Sequence, residues 1–276
     1  RQAPPPHAEP LRAAALTVLD DIIVGVRADL AARRADLGLA EVRARAPARG
    51  PARILRPGPG LICEVKRASP SAGALAVIDD PPALAAAYAR GGAAAISVLT
   101  ERRRFHGSLA DLDAVRAAVD VPILRKDFVV DEYQVYETRA HDADLLLLIV
   151  AALSDDQLSH LYGLGRELGL PVLVETHTPE EIDRASALDL EGALLGVNVR
   201  NLKDLSVDTG RFAPLAALAP TGPVLVAESG VRTAADVAAY ATAGAGLVLV
   251  GEALVKAGEP AEAVTSFTAA ARASHG

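Results

Sequence analysis

Eight short runs rich in Val, Ile and Leu recur between residues 61 and 251, with Ala- and Leu-rich stretches between them. The runs are Leu61–Lys66, Ala94–Thr100, Pro122–Phe128, Asp144–Ala151, Pro171–Thr176, Ala193–Arg200, Pro223–Ser229 and Gly246–Gly251. The stretches between them include Pro82–Arg90, Ser108–Ala118, Asp155–Leu168, Pro179–Ala187 and Ala234–Ala243. A strand that is apolar along its whole length is buried on both faces, so it reads as a parallel strand with helices packed over it. Signals such as Gly91-Gly92-Ala93, Val121-Pro122 and Gly222-Pro223 lead from helix into strand. Eight such units closing on themselves give an α/β chain of the (β/α)8 TIM-barrel class. The competing architecture is an open doubly wound sheet, but no run here is followed by a G-x-G-x-x-G turn.

The barrel strands begin near residue 61, which leaves an additional N-terminal helical segment. Residues 1–15, with Pro4-Pro5-Pro6 and no apolar signal-peptide core, are expected to be a disordered lead-in, and residues 16–276 a single barrel domain with its N-terminal helices. Leu16, Leu19, Ile22, Ile23, Val26 and Leu30 fall at helical spacing and predict a helix over Leu16–Arg34. A second helical patch, Leu39–Ala46, precedes a Pro/Gly-rich connector that runs to Gly60.

Composition narrows the function classes. Hydrophobic residues make up 51% of the 276 but aromatics only 3%, so the core must be built from Ala, Val, Leu and Ile. A net charge of −7 argues against a nucleic-acid partner. The longest apolar stretch, Leu145–Leu153, is far short of the roughly 20 residues that cross a bilayer, so no membrane association is expected and the expected location is cytoplasmic. The single Cys63 excludes an intrachain disulfide, and its apolar neighbours make a buried inert thiol the expectation. The six histidines are dispersed without H-E-x-x-H spacing, and neither a metal nor a cofactor is expected. The densest basic run, Arg102-Arg103-Arg104, reads as a solvated loop.

Lysine usage points to chemistry. Only four of 28 basic residues are lysine, yet Lys66 and Lys126 both end apolar runs. An amine whose surroundings depress its pKa can exchange a proton near neutrality, and a guanidinium cannot. Functional groups of a barrel gather at the C-terminal ends of its strands, and residues two apart share a face. On that basis Glu64 and Lys66 share a face, as do Asn198 and Arg200, while Lys126, Glu175 and Glu228 sit near the ends of their runs. The expectation is one polar mouth containing two Lys, an Arg and three Glu, which supplies candidate acids and bases. The alternative is a ring of salt bridges that merely closes the barrel. Small residues at Ser229-Gly230 and Gly251, before the last helices, suit a phosphate group approached by backbone N–H donors.

Together these segments resemble indole-3-glycerol phosphate synthase over roughly residues 16 to 270. The motifs that carry the resemblance are Glu64-Val65-Lys66-Arg67-Ala68-Ser69-Pro70-Ser71-Ala72-Gly73, Leu124-Arg125-Lys126-Asp127-Phe128 and Gly196-Val197-Asn198-Val199-Arg200-Asn201-Leu202. Ser97-Val98-Leu99-Thr100-Glu101, Phe105-His106-Gly107-Ser108, Leu173-Val174-Glu175 and Glu228-Ser229-Gly230 complete it. The resemblance implies conversion of 1-(2-carboxyphenylamino)-1-deoxyribulose 5-phosphate to indole-3-glycerol phosphate with loss of CO2 and water. It implies Lys126 as the ring-closure acid and Glu175 as an acid/base in the later steps. Lys66 and Arg200 would hold the substrate carboxylate, with Lys66 also a candidate for proton transfer. Glu64, Asn198 and Glu228 would orient these groups and the sugar hydroxyls, and Ser69, Phe128 and Leu249 would contact the anthranilate side. Ser229, Gly230, Gly251 and the backbone of Glu252 would bind phosphate.

Glu252 stands where many members have a small residue, and a carboxylate beside a phosphate is unfavourable unless its side chain points away and only its N–H is used. The leading helix would pack over the mouth. The implied partner is a small phosphorylated substrate, with the chain a monomer or weak homodimer. Two rivals remain. A phosphoribosylanthranilate isomerase would want a Cys/Asp pair at strand ends, whereas Cys63 lies one position off the inward face. A silent phosphate-binding barrel would show a broken acid/base set.

Overall fold

The computed structural model of the protein describes residues 17–55, 58–69, 73–74, 78–202 and 204–274. The expected lead-in, residues 1–15, lies outside the described residues. Eight parallel strands close into a barrel: β1 (Gly60–Val65), β2 (Ala95–Leu99), β3 (Ile123–Lys126), β4 (Leu145–Ile149), β5 (Val172–Thr176), β6 (Leu194–Asn198), β7 (Val224–Glu228) and β8 (Leu247–Val250). Each strand pairs with its sequence neighbours, and β1 closes the ring against β8 through Ile62↔Leu249 and Cys63↔Val250.

The strands are shorter than the apolar runs that announce them. Lys66, Phe128, Arg200, Ser229 and Gly251 fall just beyond the ladders, where the chain turns outward. Along β1 the side chains divide as the pleat requires. Leu61, Cys63 and Val65 join the layer that includes Tyr88, Ile96 and Val264, whereas Ile62 joins the cluster of Leu124, Leu147, Leu173 and Val226. Cys63 is therefore an outward-facing, buried thiol whose pKa burial pushes up.

The helices that cover the ring are α3 (Pro81–Arg90), α4 (Leu109–Ala118), α5 (Glu132–Ala140), α6 (Asp155–Glu167), α7 (Pro179–Ser186), α8 (Phe212–Ala216), α9 (Ala234–Thr242), α10 (Glu252–Val255) and α11 (Pro260–Ser274), after the leading α1 (Val18–Asp36) and α2 (Leu39–Arg45). Most start on a side-chain cap: Ser108, Asp131, Ser154, Thr178 and Thr233 each accept a hydrogen bond from a backbone N–H of the first turn. No described helix is long and apolar enough to cross a membrane.

Helix α1 begins with a capping box in which Thr17 and Asp20 satisfy each other's backbone N–H. Its buried residues Ile22, Val26 and Leu30 recur every four positions and form one apolar stripe. Its C-terminal basic turn is anchored to the α5 region by Arg33–Glu137 at 2.8 Å and Arg34–Asp131 at 3.0 Å. Arg103 and Arg104 reach Asp29 and Asp21 of α1, so two residues of the basic run expected to be solvated tie the helix down. The chain leaves room for this contact at Gly25, where a Cβ would lie 2.8 Å from Arg103 Cδ.

Helix α5 carries little apolar periodicity because it packs polar side chains inward. Arg125, on the outward face of β3, is fully buried, and its guanidinium meets Asp127 at 2.9 Å and Glu137 at 2.8 Å. It also donates to Thr100 Oγ1 and to the Gln134 carbonyl. Among the described residues an ion pair of this depth persists because every partner is hydrogen-bonded.

Asp144, at the opposite, N-terminal end of the barrel, is a second hub. It accepts from the Arg53 N–H at 2.7 Å, the Ile123 N–H at 2.9 Å and Arg116 Nη1 at 2.8 Å, with no solvent exposure of its side chain. Asp144→Ala leaves a buried guanidinium and two amides without their acceptor, so we expect a loss of about 3–5 kcal/mol in unfolding free energy. Urea titration measures this, and a change within experimental error would remove Asp144 as a structural hub.

Candidate functional site

A cavity of about 520 Å³ opens over the C-terminal ends of the strands. The register sets its floor: Leu99 stands beside Lys126, Ile149 beside Glu175, Asn198 beside Glu228, and Glu228 beside Leu249. The strand ends thus converge on one mouth through a staggered ladder, in which Glu175 pairs with Gly196 and Gly196 with Val226. Glu64, Lys66, Lys126, Glu175, Asn198 and Glu228 all line the cavity. So do Phe128, Arg200, Leu249, Ser229, Gly230, Gly251 and Glu252. Ser69 lies in a two-residue antiparallel pairing with Gly73, and its side chain lies outside the described residues.

Lys126 is the centre of the arrangement. Its Nζ donates to Glu175 Oε2 at 3.0 Å and lies 3.8 Å from Glu228 Oε2. Burial alone would lower the pKa of this amine, but the carboxylates of Glu175, Glu228 and Glu64 outweigh burial and hold it above its ordinary value. An amine can exchange a proton near neutrality only where its surroundings depress its pKa, and here they keep the ammonium charged. The reason is the surplus of carboxylates around it, which an apolar strand pattern does not reveal.

Those carboxylates divide their roles. Burial would raise the pKa of Glu175, but the Lys126 ammonium, then His177 and Asn198, bring it well below the usual carboxylate range. Glu175 Oε1 accepts from Asn198 Nδ2 at 2.9 Å and faces His177 Nε2 at 3.2 Å, an ion contact whose N–H is not aligned as a hydrogen bond. Glu228 goes the other way: burial and the neighbouring Glu175 charge push its pKa well up, against the pull of Lys126. Its Oε1 is buried with no hydrogen-bond partner among the described residues. Two carboxyl groups beside one ammonium therefore hold one proton between them, and Glu228 holds it. Gly196, which lies between β5 and β7, makes this possible, because a Cβ there would collide with Glu228 Oε1.

The rest of the mouth is ordered by the same few contacts. Asn198 Oδ1 accepts from Ser229 Oγ at 2.9 Å and from the Arg200 N–H at 3.0 Å. Lys66 Nζ meets Glu64 Oε1 at 2.6 Å. Ser229 has φ 73 and Gly230 φ 81, so two consecutive residues sit in the left-handed region, which is uncommon for serine. Glu252 Oε1 accepts from Lys256 Nζ at 2.6 Å.

His177 escaped sequence reasoning altogether, and Gly196 and Glu101 entered it only as members of motifs, without a role. Buried Glu101 accepts the N–H groups of Arg103, Arg104 and Phe105 at 2.9, 2.7 and 2.9 Å. It thereby folds the loop that brings Phe105 to Phe128, ring centroids 6.0 Å apart, beneath Val18, Leu19 and Ile22 of α1. The available signal was the Glu101 position one residue past the second run. Among the described residues no three His, Cys, Asp or Glu side chains are grouped so as to hold a metal ion.

Because Glu228 gains a proton on folding, native stability falls as pH climbs from its ordinary value of 4.5 through the raised native value. Glu228→Gln removes that decline. Measured by urea unfolding across a pH series, its stability relative to the unaltered chain should rise with pH over this interval; a constant difference would show that Glu228 is ionised in the native site.

The family model described as Indole-3-glycerol phosphate synthase matches residues 19–267. Curated relatives named indole-3-glycerol phosphate synthase include one from Paenarthrobacter aurescens (strain TC1), 56% identical over 94% of this chain and 98% of the relative. Another, from Rhodococcus jostii (strain RHA1), is 58% identical over 91% of this chain and 95% of the relative. A solved 3-hexulose-6-phosphate synthase from Salmonella typhimurium shares the barrel at a TM-score of 0.60, with 15% identity over 78% of this chain and all of that one. At such identity the likeness concerns the fold alone. The match across nearly the whole barrel, with relatives covered almost end to end, shows that this chain belongs to the indole-3-glycerol phosphate synthase family.

Proposed function

We propose that the chain catalyses the decarboxylating ring closure and dehydration of 1-(2-carboxyphenylamino)-1-deoxyribulose 5-phosphate to indole-3-glycerol phosphate, by general acid/base catalysis in this cavity. The observation that carries the reading is the buried Lys126 ammonium between Glu175 at 3.0 Å and Glu228 at 3.8 Å, with family membership behind it.

Ring closure requires a proton for the ketone oxygen as the aromatic carbon attacks. A lysine kept charged by carboxylates delivers that proton, or stabilises the developing alkoxide, from a fixed position out of water. Loss of CO2 then restores the aromatic ring, and dehydration needs a group that removes one proton and returns another. Glu175 is suited to this because it is ionised and within hydrogen-bond reach of Lys126. Glu228, holding its proton, would orient the sugar hydroxyls together with Asn198, and Glu64 would orient Lys66.

Lys66 and Arg200 would hold the substrate carboxylate. Phe128, Leu249 and Ser69 would meet the anthranilate ring. The phosphate would lie against Ser229, Gly230 and Gly251, with the Glu252 N–H turned to it while the Glu252 carboxylate stays on Lys256. The proposal is of a cytoplasmic enzyme, one domain over residues 16–276, acting as a monomer or weak homodimer.

Lys126→Ala is expected to reduce kcat by at least about a thousandfold while the far-ultraviolet circular dichroism is retained, and Lys126→Arg not to restore it. Indole fluorescence from purified protein and substrate measures both. Full turnover by the arginine variant would remove the proton-donor role, and no indole product from the unaltered chain would remove the reaction.

A further inference from the structure

His177 lies one residue past the end of β5, its side chain buried between two carboxylates. Its Nε2 is 3.2 Å from Glu175 Oε1, and its Nδ1 is 3.0 Å from Glu181 Oε2 on α7. The same Glu181 oxygen accepts the His177 backbone N–H at 2.8 Å, and Arg211 Nη2 donates to the His177 carbonyl at 2.7 Å. The backbone on two sides and the Nδ1–Glu181 hydrogen bond hold the ring, and its Nε2 faces Glu175 at ion-contact distance.

We propose that His177 is a positioning residue: a protonated imidazole that bridges Glu181 to Glu175, occupies Glu175 Oε1 together with Asn198, and leaves Oε2 directed at Lys126. It also decides which carboxyl group of the mouth is ionised. Without the imidazolium, Glu175 and Glu228 would compete for one proton on more nearly equal terms, with Lys126 as the cation common to both. With it, the negative charge stays on Glu175 and the proton on Glu228. The inference deepens the proposed function and rests on it, because it matters to turnover only if Glu175 acts on the substrate.

The charge arithmetic supports the bridge. The ionisable groups facing His177 directly are Glu175 from β5 and Glu181 from α7, with the guanidinium of Arg211 on its carbonyl. Lys126 from β3 and Glu228 from β7 stand one group further on, across Glu175. Burial disfavours a charged imidazole here, yet the adjoining carboxylates of Glu175 and Glu181 overcome it and raise the His177 pKa to about 9. Two carboxylates at 3.0 and 3.2 Å bracketing one ring are a reason to keep the cation, and a neutral imidazole would face an acceptor on both sides with a single N–H to give.

Two measurements test this. The first follows the imidazole carbon–proton NMR signals of the full chain against pH, with His177→Gln used to assign the His177 signal among the six histidines. His177 should stay charged through neutrality, and Glu175→Gln and Glu181→Gln should each lower its pKa by about one unit or more. Titration near the ordinary histidine value, or indifference to Glu175→Gln, overturns the proposal.

The second is the pH profile of turnover. In His177→Gln and His177→Asn, kcat at neutral pH should fall about tenfold with KM within about twofold, and the acid limb should move up by about one unit as Glu175 becomes more basic. A ring that merely fills space would lower Tm and leave the acid limb where it was, which also overturns the proposal. If the unaltered chain turns over normally while His177 titrates ordinarily, the bridge fails and the function stands. If the unaltered chain forms no indole product, the function fails, and the NMR titrations still decide whether His177 is coupled to Glu175.

Discussion

An ammonium ion removed from water is stable only where negative charge is fixed around it, and that requirement organises the mouth of this barrel. Lys126 sits at the end of β3, and β5 and β7 bring Glu175 and Glu228 to it through a staggered ladder, Glu175 pairing with Gly196 and Gly196 with Val226, so that two carboxyls meet one ammonium. Two carboxyls for one cation leave an excess, which is resolved by a proton on Glu228 and by further donors on Glu175. Asn198 is then fixed by its bond to Glu175, and Ser229 and the backbone of Arg200 by theirs to Asn198. The geometry of the anion end of the cavity thus follows from charge compensation at its floor.

The frame that holds this floor is itself polar. On the outward side of β3, next to Lys126, Arg125 carries a buried charge into the layer under α5 and is met there by Asp127, Glu137 and Thr100. Adjacent residues of one strand therefore send one cation into the cavity and one into the wall. Glu137 also takes Arg33 of α1, so the helix over the mouth and the strand beneath it are fastened to the same carboxylate. Such buried pairs lend geometry more than stability, since desolvation offsets much of their attraction. What they secure is that Lys126 has one place to be.

Much of this was legible in the chain. Runs such as Leu145–Leu148 are apolar at every position because both faces of a barrel strand are covered, and this pattern alone indicated parallel strands. The mouth residues were legible because strand parity and strand ends are one-dimensional facts. Helix α5 was not, since Gln134, Glu137 and Arg139 are buried polar residues that erase the helical stripe. His177 was missed because it follows an apolar run at a position whose value depends on Glu181, four residues on and across a helix cap. The role of Gly196 was missed because its meaning is the space it leaves for a side chain 32 residues later, and the protonation of the site because it depends on how many carboxylates converge.

The fastenings of α1 differ in kind from the chemistry below them. Arg103 and Arg104 are about half-exposed where they grip Asp29 and Asp21, so dissolved ions weaken them, while the charges on the floor lie beyond the reach of such screening. Ionic strength consequently acts on the roof of the chamber and spares its floor: how tightly the apolar ceiling of Leu19 and Ile22 closes becomes a property of the medium, and the protonation pattern a property of the protein alone.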